Sequence, residues 1–514
     1  MRYRSLTMGC VLAVASASLA SAAEGPVARK PNIVYILADD LGYGDVRCFN
    51  AQGKIATPRL DRLAAEGLRF TDAHSGSAVC TPTRYGILTG RYSWRSSLKS
   101  GVLYGYSSHL IEPGRQTVPE FLHQQGYRTA CVGKWHLGMD WALDEGHRTG
   151  KIVTGWEVDY RKPIANGPLT VGFDEYFGIS ASLDMPPYVF IRDDRTEGIP
   201  TVEKTYVRKG PAAADFEAID VLPALTRAAT SFIESNAEAA RGGKPFFLYV
   251  PLAAPHAPVL PTAEWRGKSG LNDYGDFVMQ VDDAVGRIAA SLEASGLADD
   301  TLLIFTSDNG CSPVANYPEL LAKGHDPSAG YRGAKADIFE GGHRVPFIVR
   351  WPTKVKPGSV HDQPVCLTDL FATCAEMVGS KPADTAAEDS VSFLPALLAI
   401  GDGPHRTSIV HHSINGSFAI RDGSWKLILG PDSGGWSAPK PGSAEAKALP
   451  PIQLYDLSKD SAERHNVQAD HPEVVSRLTN QIKQLVADGR STPGTPRRND
   501  GSPIVLFGRD AGAP

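Results

Sequence analysis

Several residues of this chain are of the types, and at the spacings, that act on an anion. Cys80-Thr81-Pro82-Thr83-Arg84 places a thiol, a helix-capping threonine, a proline and a cation within five residues. Thr81 suits a helix N-cap and Pro82 the first helical position. Cys80 would then stand just outside a helix N-terminus, where free amides and the macrodipole favour an anion, and Arg84 in the first turn could point back at the same spot. Taken alone, the stretch reads equally well as a buried structural thiol before a helix.

Two oxygen-bearing pairs add to it. Asp39-Asp40 closes the apolar run 31–38, and Asp308-Asn309 closes the apolar run 301–307. Either pair alone reads as a solvated turn. Together, Asp39, Asp40, Asp308 and Asn309 make a hard, all-oxygen set suited to Ca²⁺ or Mg²⁺, and no Cys/His spacing competes for zinc. Lys134 and His136 leave a strand beginning near residue 128, on the same side by alternation. His256 sits between Pro255 and Pro258 after the apolar run 245–252, and Lys335 ends Gly333-Ala334-Lys335.

The elements that must position these residues are those of an α/β protein. The runs at 31–38, 128–134, 245–252 and 301–307 are short and apolar throughout, as buried strands of a mostly parallel sheet are. Ligands bind at the carboxyl edge of such sheets, where the acids and bases fall. Amphipathic spacing predicts helices over 57–67, 117–125, 226–236 and 274–295, with a strand over 68–73. Residues 140–210 are rich in glycine, proline and charge and read as an insertion over the site, including Ser182 to Pro187. After residue 400 short alternating segments at 417–421, 424–429 and 452–457, with a helix over 472–487, predict a small antiparallel sheet with one covering helix. The expected organisation is a leader at 1–23, a catalytic unit at 30–400, a C-terminal subdomain at 401–490 and a loosely held tail at 491–514. No internal repeat is present.

Composition narrows the class. At 514 residues the chain can bury a large core. Its net charge of −5, about −7 without Arg2 and Arg4, argues against a nucleic-acid or membrane-surface binder. Residues 1–23 have the charged start, short apolar run and small-residue end of a secretory signal, and no later stretch predicts a membrane span or anchor. Cys10 precedes most of that run, which argues against a lipoprotein. Setting aside Cys10 and Cys80 leaves Cys48, Cys131, Cys311, Cys366 and Cys374, an odd number; Cys366 and Cys374 could pair or both remain thiols.

Cys80-x-Pro82-x-Arg84 followed by Leu88-Thr89-Gly90-Arg91 resembles the signature of the type I sulfatases, within the alkaline-phosphatase-like superfamily. Asp39-Asp40-Leu-Gly-Tyr-Gly-Asp, Gly133-Lys134-Trp135-His136-Leu137-Gly138, Pro255-His256-x-Pro258 and the phrase ending in Lys335 are similar to further blocks of that family, in the same order. The resemblance runs from about residue 30 to 490. It implies the sulfatase fold, calcium rather than magnesium, and oxidation of Cys80 to formylglycine by a separate maturation enzyme, with the modified residue 80 completing the metal's ligands. It further implies that a formylglycine hydrate attacks sulfur while Lys134, His256 and Lys335 hold the sulfate. His256 would protonate the leaving oxygen, Asp308 would take the nucleophile's proton, and His136 and Arg84 would steady the hydrate. The expectation is an exported, periplasmic or secreted, bacterial enzyme acting on a sulfated saccharide, with 6-O-sulfated galactose or N-acetylgalactosamine as the expected unit. Alternatives are a phosphonate or phosphodiester hydrolase of the same superfamily and a non-catalytic glycan-binding relative.

Overall fold

A computed structural model describes residues 29–146, 152–400 and 406–507. The expected leader at 1–23 and the start of the C-terminal subdomain at 401 lie outside the described residues. The core is a ten-stranded sheet. Five adjacent strands are parallel: Thr301–Ser307, Asn32–Ala38, Phe246–Pro251, Arg128–Lys134 and Glu175–Ile179. Phe347–Arg350 and Leu68–Phe70, with Ser359–His361 parallel to the latter, extend one side and Phe190–Arg192 and Arg195–Glu197 the other, the rest of these pairings being antiparallel.

Asn32–Ala38 shows why the sheet is buried on both faces. Val34, Ile36 and Ala38 face a core built with helices Val221–Arg241 and Asp273–Ala294. Ile33, Tyr35 and Leu37 face a second core with helices Cys80–Thr89, Val118–Gln124 and Leu370–Met377. Alternation in a strand whose residues after Asn32 carry no charge thus feeds two layers of helix.

The C-terminal unit is a four-stranded antiparallel sheet ordered Ser408–His412, Phe418–Asp422, Trp425–Ile428, Gln453–Asp456. Helix Pro472–Asp488 packs Val475, Leu478 and Ile482 on it, and Tyr92 and Trp94 of the main unit enter the same cluster. Among the described residues no helix is long and apolar enough to cross a membrane.

Three expectations are corrected, and the open choice for Cys366 and Cys374 is decided. The helix carrying the catalytic motif begins at Cys80 itself, with Val79 as cap; the Thr81 hydroxyl instead accepts the Leu103 N–H at 3.2 Å. The 140–210 insertion is partly sheet, supplying Glu175–Ile179 and the two strands beyond it, together with the hairpin Val202–Tyr206/Arg208–Ala212. All six described cysteines are free thiols, Cys366 and Cys374 included. The tail is pinned: Asp500 pairs with Arg91 at 2.7 Å, Asn499 accepts from Arg95 at 3.0 Å, and the Ser491 hydroxyl donates to Asp389 at 2.8 Å.

Candidate active site

Four of the five parallel strands deliver one part of the site each at their carboxyl ends. Asn32–Ala38 ends in Asp39 and Asp40, Thr301–Ser307 in Asp308 and Asn309, Arg128–Lys134 in Lys134 with His136 just beyond, and Phe246–Pro251 leads to His256. Helix Cys80–Thr89 supplies Cys80 and Arg84, and the loop before helix Glu340–His343 supplies Lys335. All ten residues named from the sequence are buried. Asp40 and His136 adopt left-handed backbone, φ 66° and 56°, a conformation that costs energy in a non-glycine residue and clusters at functional sites.

Cations and carboxylates interlock. Lys134 Nζ donates to Asp39 Oδ2 at 2.7 Å. Lys335 Nζ lies 2.7 and 2.8 Å from the two Asp40 oxygens. Arg84 donates to Asp308 Oδ2 at 2.8 Å and to the Lys134 carbonyl at 2.9 Å. Asn309 Nδ2 donates to Asp40 Oδ1 at 2.8 Å, and the Asp40 N–H reaches Asp308 Oδ1 at 3.2 Å. Two acceptors are left over, for Asp39 Oδ1 and Asn309 Oδ1 are buried without a hydrogen-bond partner. Bare oxygens from two neighbouring strands are what a hard cation satisfies. Asp39, Asp40 and His256 also present ligand atoms within 4.8 Å of one another. The donor set therefore fits a divalent ion.

Protonation follows from this packing. Burial opposes ionisation of Asp39, but Lys134, with His256 and Arg84, holds its carboxyl well below the usual range. Burial, reinforced by Asp39, pushes Asp308 up to about 7. Burial would deprotonate Lys335, yet Asp40 keeps it charged. Burial raises the Cys80 thiol despite Lys134 and Lys335, so the unmodified thiol is a poor nucleophile at neutral pH.

Two backbone carbonyls fix the histidines. His136 donates from Nε2 to the Leu103 carbonyl at 2.7 Å, leaving Nδ1 buried and bare. His256 donates from Nδ1 to the Ala257 carbonyl at 2.6 Å, turning Nε2 to within 3.6 Å of Asp40. A carbonyl can only accept, so each contact selects a tautomer. Residue types carry no signal for such backbone partners. Also unforeseen is a buried group of His74, Glu340, His343 and His411 behind the site; the sequence reads 340–346 as a turn, and it forms a short helix.

With this geometry in hand, the relatives are informative. The family model Sulfatase matches residues 31–380. N-acetylgalactosamine-6-O-sulfatase of Bacteroides thetaiotaomicron is 35% identical over 507 residues, spanning 90% of this chain and 94% of its own. Arylsulfatase A of Homo sapiens is 33% identical, spanning 91% and 89%. A solved structure connected with glycosaminoglycan metabolism by Bacteroides thetaiotaomicron superposes with a TM-score of 0.77 at 34% identity, covering 89% of this chain and 99% of its own.

Proposed function

The chain belongs to the sulfatase family and is a sulfuric ester hydrolase, and we propose that it removes the 6-O-sulfate from N-acetylgalactosamine or galactose units of a glycan, outside the cytoplasm, using residue 80 oxidised to formylglycine by a maturation enzyme. The sugar assignment is supported by the 35% identity, over nearly the whole chain, to a sulfatase with that specificity. The observation that carries the chemistry is the pair of bare buried oxygens, Asp39 Oδ1 and Asn309 Oδ1, beside Cys80 and two lysines.

Asp39, Asp40, Asp308 and Asn309, with residue 80, would hold a divalent cation, calcium by family likeness. Such an ion, with formylglycine, supplies an activated oxygen nucleophile and draws charge from a sulfate oxygen. The protein's own groups do the rest. Lys134 and Lys335 each spend a proton on an aspartate and retain donors for sulfate oxygens, where charge builds in the transition state. His256, held through Nδ1, would as the imidazolium, the form that Asp40 and Asp39 favour against burial, carry a proton on Nε2 to the departing sugar oxygen as the S–O bond breaks. His136 offers its bare Nδ1 as an acceptor towards residue 80. Arg84 steadies Asp308, which is placed to take a proton from the nucleophile.

The test is sulfate release from defined sulfated saccharides, with protein co-expressed with a formylglycine-generating enzyme and the Cys80 peptide checked by mass spectrometry. Release from 6-O-sulfated N-acetylgalactosamine that Cys80→Ala lowers at least about 10⁴-fold, and that a chelator abolishes and calcium restores, is the expected result. Release only from other sulfate positions sinks the substrate assignment. No release from fully converted protein, with turnover of phosphodiesters instead, sinks the reaction.

A further inference from the structure

A cleft of about 630 Å³, within the ~300–1,000 Å³ range of ligand sites, is built from chain segments that run on from the candidate active site. Its walls continue two segments that build the site. One wall starts at Tyr104, directly after Leu103, whose carbonyl holds His136 and whose N–H is held by Thr81. The other includes Met185 and Pro186, a few residues beyond Ile179 and Ser180, whose carbonyls bind the amides of Trp135 and His136 at 3.0 and 2.9 Å.

The cleft is preformed. A Cβ on Gly105 would lie 1.9 Å from the Pro186 carbonyl oxygen, and one on Gly210 would lie 2.4 Å from Pro186 Cβ. Three chain segments therefore meet at a distance only glycine permits. Trp141 Nε1 also ties the Gly105 carbonyl at 3.0 Å.

Its lining pairs aromatic faces with cations. Tyr104 and Trp156 are 56% and 43% exposed, large values for such rings. The hairpin adds Arg208 and Lys209. Arg208 is anchored through one Nη to the mostly buried Asp184, with its Cζ 5.7 Å from the Tyr104 ring; the guanidinium keeps further donors. Lys209 pairs with Glu203 at 2.6 Å in an exposed contact of the kind that is weak and easily exchanged. The two lining cations are balanced by Asp184 and Glu203, so a ligand acid would take the remaining guanidinium donors of Arg208 and would have to displace Glu203 from Lys209.

We propose that this cleft is a second sugar subsite, binding an acidic sugar residue next in the glycan to the one that loses sulfate. The apolar face of the pyranose ring packs on Tyr104 and Trp156, and its carboxylate or sulfate takes donors from Arg208 and Lys209. The proposal rests on the saccharide reading given above and makes the substrate a chain, with binding to the remote sugar helping to orient the reacting one.

The experiment compares kcat/KM for three substrates: a tetrasaccharide alternating hexuronate with 6-sulfated N-acetylgalactosamine, its carboxyl-reduced form, and 4-nitrophenyl sulfate. Trp156→Ala and Lys209→Gln sit at the surface. Arg208→Gln leaves Asp184 unpaired, so its melting temperature is checked alongside. The tetrasaccharide-to-aryl-sulfate ratio is expected to fall about tenfold in Trp156→Ala, and the preference for the acidic over the carboxyl-reduced chain to fall in Arg208→Gln and Lys209→Gln. Ratios within twofold of wild type in every variant overturn the proposal, as does an equal loss on acidic and reduced chains in Arg208→Gln and Lys209→Gln. Calorimetry of full-length Cys80→Ala with the desulfated tetrasaccharide separates the two readings. Binding that Trp156→Ala weakens supports the subsite even where no 6-sulfate is released. Sulfate release with no binding of the desulfated chain overturns the subsite alone.

Discussion

Two buried charge clusters lie on either side of the Gly310–Gly342 backbone contact, and they share an inventory. The one at the candidate active site sets Asp39, Asp40 and Asp308 against Arg84, Lys134 and Lys335. The second sets Asp72, Glu340 and Glu463 against Arg344, Arg421 and Lys426, with His74, His343 and His411 among them. The clusters differ in what is left unsatisfied. In the first, bare carboxylate and amide oxygens are left on adjacent strands. In the second, the His74 and His343 Nδ1 atoms face each other at 3.1 Å, one donating to the other, and His411 stacks flat on His343 at 3.7 Å. The atoms there without a hydrogen bond are the two nitrogens of His411, a donor and an acceptor of one neutral ring, Arg344 Nε, a donor, and Glu463 Oε1, which Lys426 pairs at 2.8 Å, whereas Arg84 stands 3.7 Å from Asp39 Oδ1. Arg421 and Lys426 come from the C-terminal sheet, Asp72 and Glu340 from the main unit, so this cluster joins the two. Buried charge therefore does not by itself distinguish the candidate active site; acceptors left without a close donor or cation do.

The comparison can be broken in three ways. Lys426→Met strips the cation from Glu340 and Glu463 and should cost about 3–5 kcal/mol in denaturant unfolding, with sulfate release per folded molecule close to wild type and the cost equal with calcium or chelator. Lys335→Ala should lower kcat/KM about 10²–10³-fold, and its stability cost should be larger in chelator than in calcium, because a bound cation offsets the Asp40 charge that the lysine left. A chelator-dependent Lys426→Met or a chelator-independent Lys335→Ala would erase the distinction. The third test is pH. Burial, reinforced by Glu340, raises the Glu463 carboxyl from 4.5 to about 7, so the folded state binds its proton more tightly than the unfolded chain. That stability is fully present below pH 4.5 and is lost as pH rises through 7. Glu463→Gln should flatten this dependence, so that wild type loses up to about 3 kcal/mol relative to the variant between those limits, read from unfolding curves.

The site was legible where buried strands end in chemistry, since an apolar run closed by Asp39-Asp40 or Asp308-Asn309 announces both a strand and its carboxyl edge. It was illegible where partners are backbone: nothing in Leu103 or Ala257 marks a carbonyl that selects a histidine tautomer. The second cluster draws His74, Glu340, His343 and His411 from three distant segments, with no motif. Strand Ser408–His412 hid because its last two residues are buried histidines in place of aliphatics. Glu175–Ile179 was missed inside a segment whose glycines and prolines read as loop. Thr81 suits a cap by type, but its hydroxyl is used elsewhere.

The Arg91–Asp500 pairing also sets a timetable. Cys80 is 2% exposed and every residue of its helix is buried, so an oxidising enzyme cannot reach it in the finished molecule. The pairing that clasps the end of this segment awaits residue 500. At roughly 5–20 residues per second of synthesis, about 20–80 s separate the emergence of Cys80 from that of Asp500. An enzyme that modifies Cys80 has at least that interval in which the segment still lacks its last clasp.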